Sequence, residues 1–308
     1  MNVEGICDVD EQDATLRPLV SVVIAVRNGM PFLEAQLCAV ASQKLSAEWE
    51  VVVADNGSQD STRVCVEYWV ERVPRIRLVD AAFPRGPGAA RNAGVKAAEG
   101  SILVFCDADD VVQPDWLARM VAALDEHDVV SGVYDFGSPN GGSGREATPH
   151  ATAQMGFLPF GLGANLAVRR EAFEAVAGFR ESYLVGEDID LCWRLQLAGY
   201  RFSVADAAVV RKREPADPRS ILRKAWSYGR CGARLYREYR AAGMHRDLRG
   251  ASRAWVWLLV NAPRLFRQPV RRQWLRTFGI RAGRLAGIPT TPPRPFGPST
   301  ALGIILDN

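Results

Sequence analysis

Two short acidic segments hold side chains with the chemistry of a reaction site. In the first, Asp107-Ala108-Asp109 follows the apolar run ILVFC and is itself followed by Asp110. Carboxylates one residue apart at a strand's end suit a hard divalent cation, because such ions take oxygen ligands and Mg²⁺ is often held by one or two carboxylates plus substrate phosphates. Asp109 is the candidate metal ligand, for Mn or Mg, and Asp107 is placed to face a nucleotide ribose or a metal-bound water. The competing reading is an acidic loop or a helix cap ahead of Pro114. In the second segment, Gly186-Glu187-Asp188-Ile189-Asp190 opens the helical pattern LCWRLQLAGY. Asp188 is the candidate general base, taking a proton from a hydroxyl as that hydroxyl attacks. A helix N-terminus keeps the carboxylate ionised but makes it a weaker base, so desolvation has to restore its strength. Acids that merely satisfy a helix start are the alternative.

Further candidates sit at the ends of other elements. Asp55 follows the run EVVVA, where its carboxylate can accept a base N–H while Gly57 permits close backbone approach. The same DNGSQD string also reads as a turn plus a helix cap. Arg91 and Asn92 lie near the start of a predicted helix; Arg91 can reach a diphosphate or pair with Asp107 or Asp109. In Gly161-Leu162-Gly163-Ala164-Asn165, Gly163 lets a substrate approach the backbone and Asn165 offers a donor and an acceptor, unless the segment is only a turn before a strand. Phe157, Phe160 and Trp193 could stack on a ring of the substrate, Trp193 ahead of the other two, although an aromatic is more often core than platform.

These residues need a scaffold of alternating elements. Strands are predicted at 19–26, 50–54, 76–79, 102–106 and near 129–134, several of them continuous apolar runs of the kind buried in a parallel sheet. Helices are predicted after Pro31, from Asp60 or Ser61 to about Val70, and over 88–98, 114–124 and 170–176, with another from Glu187. The alternation predicts an α/β fold with a mainly parallel sheet whose carboxyl edge carries the ligands. Residues 137–159 are rich in Gly, Ser, Pro and Thr and read as a mobile loop beside the site.

The chain has 308 residues and a net charge of +3, but residues 211–284 hold twenty Arg and Lys against four acids. The expected organisation is a leader over 1–17, a catalytic domain over 18–214, a basic helical extension over 215–288 and a Pro-rich tail over 289–308. Residues 1–17 lack the positive start and apolar run of a signal peptide, and no tail segment approaches the roughly 20 apolar residues of a membrane span. The six cysteines form no CxxC pair and read as reduced thiols of a cytoplasmic protein. Arg and Lys interleaved with Trp226, Tyr228, Trp255, Trp257 and Trp274 suit either peripheral contact with anionic lipid at the inner membrane face or a helical bundle packed on the catalytic part. No nucleic-acid module is present, so no nucleic-acid partner is expected.

The segments VSVVIAVRNG, VVVADNGSQDST, GPGAARNAG, FCDADD and GEDIDLCWRLQLAGY, in this order, resemble the family 2 glycosyltransferases, inverting enzymes of the GT-A fold. The resemblance implies a Rossmann-like sheet, a nucleotide-diphosphate sugar donor with UDP favoured, and a glycan, lipid-linked or small-molecule acceptor. It implies that Asp55 contacts the nucleobase, Asp109 takes the metal, Asp188 is the base, Val26 and Arg27 lie beside the nucleotide, and Glu187 and Trp193 lie beside acceptor or donor sugar. Many relatives carry a metal-binding His after the strand ending at Val209-Val210, where this chain has Arg211-Lys212-Arg213. Arg211 and Lys212 are therefore candidate phosphate contacts, because a cation neutralises phosphate but does not ligate a metal. His127, His150 and His245 offer no convincing replacement. The alternatives are a catalytically inactive nucleotide-sugar-binding subunit and a phosphotransferase with Asp107 as nucleophile; the latter is disfavoured because that class usually opens its first strand with the motif, which here follows about a hundred residues.

Overall fold

A computed structural model of the chain describes residues 19–137, 155–213 and 217–287. The predicted leader, the Pro-rich tail, most of the predicted loop, Cys7 and His150 lie outside them. The run VSVVIAV forms β1 (Val20–Val26), which is buried almost throughout and flanked by two parallel partners, β2 (Trp49–Asp55) and β4 (Ile102–Asp107). β3 (Ile76–Asp80) adds a further parallel strand outside β2. The crossovers are α1 (Leu33–Ala41), α2 (Thr62–Val70) and α3 (Pro87–Ala97). α2 takes Ser61 as its N-cap position, whereas the Asp60 carboxylate accepts from the Thr62 amide at 3.0 Å and the Met30 amide at 3.2 Å.

Among the described residues the sheet has eight strands; with β5 (Val111–Val112), β6 (Val129–Asp135), β7 (Asn165–Arg169) and β8 (Phe202–Arg211), their order is β3-β2-β1-β4-β7-β6-β8-β5. Only the half containing β1 to β4 is uniformly parallel. β7 runs antiparallel to both β4 and β6, and the two-residue β5 is antiparallel to β8. Strict alternation of strand and helical crossover thus gives way at β7, whose antiparallel pairing with both neighbours needs no helical crossover.

Two cores cover the sheet's faces. Val22, Ile24, Leu33, Leu37, Trp116 and Tyr134 pack on one side; Val23, Phe105, Phe179, Leu191, Trp193 and Leu235 pack on the other. Successive β1 residues thus serve opposite cores, each buried aliphatic side chain stabilising by about 1.5–3 kcal/mol. Beyond the sheet, α7 (Pro218–Tyr239), α8 (Leu248–Asn261) and α9 (Gln268–Ala286) form the basic extension. α7 seats Cys231, Leu235 and Tyr239 in the second core. α9 lies directly against α7, where a Cβ at Gly283 would collide with the Trp226 carbonyl.

Candidate active site

The carboxyl ends of β1, β2 and β4 meet in register: Val26 stands opposite Asp55, and Ala25 opposite Asp107. Asp55 is buried and accepts a hydrogen bond from the Ser58 amide at 3.0 Å, so the turn reading of this segment is realised. Val26 is buried beside it and Arg27 is exposed at the rim.

Just beyond β4, carboxylate oxygens of Asp107, Asp109 and Asp110 lie within 4.8 Å of one another. Their environments differ. Asp107 accepts from Arg91 Nη2 at 2.8 Å and from Lys212 Nζ at 2.9 Å. Asp110 is fully buried and accepts from Lys212 Nζ at 2.7 Å and from the Arg213 amide at 2.9 Å. Asp109 is exposed and has no bonding partner among the described residues. The short β5–β8 ladder sets this arrangement: pairing Val111 with Arg211 brings the next residues out, Asp110 and Lys212, face to face. The buried amide of Gln36 fastens the same loop, donating to the Asp107 carbonyl at 3.0 Å and accepting from the Val112 amide at 3.1 Å. Burial alone would raise the Asp107 carboxyl, but the charges of Lys212 and Arg91 outweigh it and hold it well below the usual range. Burial prevails at Asp110, with Asp107 adding to the rise. Oxygen donors at this spacing fit a hard divalent ion, with Asp109 the carboxylate free to hold it.

The second acidic segment opens α6 (Glu187–Leu197), entered through Gly186 in the left-handed conformation at φ 81°. Glu187 is buried and pairs with Arg91 Nη1 at 2.7 Å, so Arg91 bridges the two acidic segments. Asp188 accepts from the Gly163 amide at 2.9 Å and from the Ile189 amide at 2.8 Å. Both bonds favour its anion, yet burial raises its pKa above the ordinary aspartate value. Burial, with Asp188 alongside, likewise pushes Glu187 up to about 7 against the opposing pull of Arg91. The fold thus supplies to Asp188 the desolvation that a helix-terminal base lacks. Gly163 has no room for a side chain, because its Cβ would press on the Arg91 guanidinium.

Two predicted sugar contacts face the core. Asn165 is fully buried: it accepts from Trp116 Nε1 at 2.8 Å and donates to the Val133 and Ala208 carbonyls at 3.0 and 3.1 Å. Its amide ties β6, β7 and β8 together. Trp193 is also fully buried, donating to the Leu158 carbonyl at 2.8 Å among Phe157, Phe160 and Tyr239. Arg211 is exposed and 4.0 Å from Asp135, and Lys212 serves carboxylates. Of the described cysteines all are free, and only Cys38 is exposed. Sequence reading misses Gln36 and the cleft-facing part of α7. The Lys224 charge helps to lower Asp107, and the half-exposed Tyr228 lies within the electrostatic reach of Asp188, Asp107 and Glu187. Only packing shows that these α7 residues approach the cleft.

The mixed α/β sheet flanked by helices is the fold of the GT-A glycosyltransferases. The profile described as "Glycosyl transferase family 2" matches residues 21–181, and that of "Glycosyl transferase family group 2" matches residues 102–286. The chain belongs to glycosyl transferase family 2, and it is a glycosyltransferase. It is 29% identical over 268 residues to glycosyltransferase AglE of Haloferax volcanii, covering 83% of this chain and 86% of that one. It is 30% identical over 235 residues to the pre-mycofactocin glycosyltransferase of Mycobacterium tuberculosis, covering 70% of this chain but 47% of the relative. Among solved structures, the mannosyltransferase PcManGT of Pyrobaculum calidifontis, in complex with GDP-Man and Mn2+, has the same fold: TM-score 0.63, 23% identity, 89% of this chain and 88% of that one covered. S. aureus TarS in complex with UDP-GlcNAc gives a TM-score of 0.51 at 20% identity, with 87% of this chain and 90% of that one covered.

Proposed function

We propose that the chain transfers a sugar from a nucleotide-diphosphate donor, a UDP-sugar in the first instance, to an acceptor hydroxyl by a single inverting displacement. The observation carrying this reading is Asp188, a carboxylate of raised pKa held by the Gly163 amide and linked through Glu187 and Arg91 to the strand-end Asp107. In that step the acceptor O–H gives its proton to Asp188 while its oxygen bonds the anomeric carbon. The bond from that carbon to the β-phosphate oxygen breaks, and its electron pair leaves with the nucleoside diphosphate. Asp55 orients the base, with Val26 and Arg27 beside the nucleotide. Asp109 would hold a Mn or Mg ion, which when bound supplies positive charge to the departing diphosphate. The nucleotide sugars held by the two structural neighbours support a donor of this class.

Thermal stabilisation by UDP, GDP, dTDP, CMP and ADP, with and without Mn²⁺ or Mg²⁺, tests the donor site. One diphosphate is expected to raise the melting temperature; no shift with any nucleotide would remove the donor-site reading. The anomeric configuration of the product, read by NMR, tests inversion.

We infer in addition that α8 meets an anionic membrane surface, consistent with a lipid-linked acceptor. Leu248, Val256, Leu259 and Val260 of α8 are exposed, and residues 248–287 carry nine Arg and no acid. Among the described residues no helix is long and apolar enough to cross a membrane. Cosedimentation with phosphatidylglycerol vesicles, but not with phosphatidylcholine vesicles, is expected; equal recovery with both would count against an anionic target.

A further inference from the structure

The position of Lys212 changes how the first acidic segment meets a cation. The side chain is mostly buried, and its ammonium lies 2.9 Å from Asp107 Oδ2 and 2.7 Å from Asp110 Oδ2. Those are oxygens that a metal in the three-carboxylate cluster would need, and the ammonium already takes them. The other oxygen of each is engaged too, Asp107 Oδ1 by Arg91 and Asp110 Oδ1 by the Arg213 amide. Asp109 is left as the one carboxylate of the cluster without a partner among the described residues. The β5–β8 register fixes Lys212 in place, and its backbone amide bonds the Asp135 carbonyl at 2.9 Å, so the lysine is anchored at the strand end rather than loosely tethered.

We propose that Lys212 is a resident cation that excludes free divalent metal from Asp107 and Asp110, so that metal binds only together with a nucleotide diphosphate, through Asp109. This rests on the donor-site reading only for its second half; the exclusion concerns the protein and the ion alone. One carboxylate is a poor site for a hard cation in water, whereas the same carboxylate plus two phosphate oxygens is a common one for Mg²⁺. Replacing Lys212 removes the competitor and exposes a cluster of three carboxylates, and affinity for hard cations rises with the number of charged ligands.

The test is Mn²⁺ binding to the full chain without nucleotide, measured by electron paramagnetic resonance of free Mn²⁺ and by thermal shift. The unsubstituted protein is expected to show no binding at millimolar Mn²⁺ and no change in melting temperature. K212A and K212Q are expected to bind Mn²⁺ at least about tenfold more tightly and to be stabilised by it, with K212Q keeping amide donors for the two carboxylates should the alanine variant fold poorly. Adding Asp109→Asn to K212Q is expected to abolish the gain. Tight Mn²⁺ binding by the unsubstituted protein, or no gain in a folded K212Q, overturns the exclusion. A further titration of the unsubstituted protein with UDP and GDP present separates the two readings: failure of every nucleotide to bind removes the donor site without touching the metal-alone result. If nucleotide binds and Mn²⁺ affinity does not rise with it, the coupled entry of metal and diphosphate is overturned.

Discussion

The two acidic segments hold the same kind of side chain and are joined by one arginine, but they differ in how their charges are balanced. At the end of β4, cations come to the carboxylates from elsewhere in the chain: Arg91 from α3, Lys212 from beyond β8 and the Lys224 field from α7. At the start of α6, the balancing groups split the segment by direction. Asp188 and Asp190 are two residues apart on a helix, about 200° around its axis, and so face opposite sides. Asp190 is fully buried and accepts from Arg194 at 2.8 Å, Arg180 at 3.1 Å and Tyr239 Oη at 2.6 Å. Asp188 receives only backbone amides. A carboxylate saturated by cations is a structural anchor; one held by amides in a desolvated position keeps the capacity to take a proton.

The largest effect that separates these roles is expected from Asp188→Asn. Transfer should fall by about 10²- to 10⁴-fold, the usual contribution of a positioned base. Nucleotide affinity and melting temperature should change little, as calorimetry and circular dichroism would report. Full turnover in this variant removes Asp188 as the base. Asp190→Asn should do the reverse, costing roughly 3–5 kcal/mol of stability because Arg194 and Arg180 lose a buried partner. Urea unfolding measures that loss, and turnover per folded molecule should be nearly unchanged. If both variants lose activity and stability alike, the division of the α6 start into base and anchor is wrong. At the other segment, Asp109→Asn should lower metal-supported transfer by roughly a hundredfold without destabilising the fold, since its side chain is exposed and without a partner among the described residues. Metal titration of the rate is the measurement, with equal activity at all Mn²⁺ concentrations as the contrary result.

Much of the first half of the sheet is legible in residue order. Runs such as VSVVIAV and ILVFCD have no polar face, which leaves a strand covered on both sides as their natural place, and the carboxyl ends of such strands form a ligand edge. Asp107, Asp109 and the α6 start are legible for that reason. Asn165 and Trp193 are not, because an amide or an indole in a glycine-rich or helical context looks the same whether it faces a cleft or closes a core. Only the neighbours decide, and Trp116, Val133 and Ala208 lie far from Asn165 in sequence. Lys212 is recognisable from sequence as a cation near the site, but its partners depend on a strand of two residues that leaves no periodic trace. The α7 contribution of Lys224 and Tyr228 is hidden for a similar reason, as an amphipathic helix does not say what it packs against.

The finest distinction between the segments lies in their response to pH. Although burial opposes it, the charges of Lys212 and Arg91 hold Asp107 ionised to pH values well below the ordinary carboxylate range. Glu187, pushed up to about 7 by burial and by Asp188 despite Arg91, is different. Unfolded, it would titrate near the ordinary glutamate value of 4.5, so between that pH and about 7 the folded state binds the extra proton. Stability from this group is therefore greatest at the acid end of the window and declines as pH rises through it, opposite in sign to the usual carboxylate. Glu187→Gln, which keeps an oxygen to accept from Arg91 but cannot titrate, should flatten that decline. Urea unfolding of both proteins from pH 5 to pH 8 supplies the comparison. Parallel stability curves would place the burden of the raised pKa on Asp188 instead. With either outcome, the acid limb of the transfer rate, which must track the deprotonation of the base, should lie above the ordinary aspartate range, because burial raises Asp188.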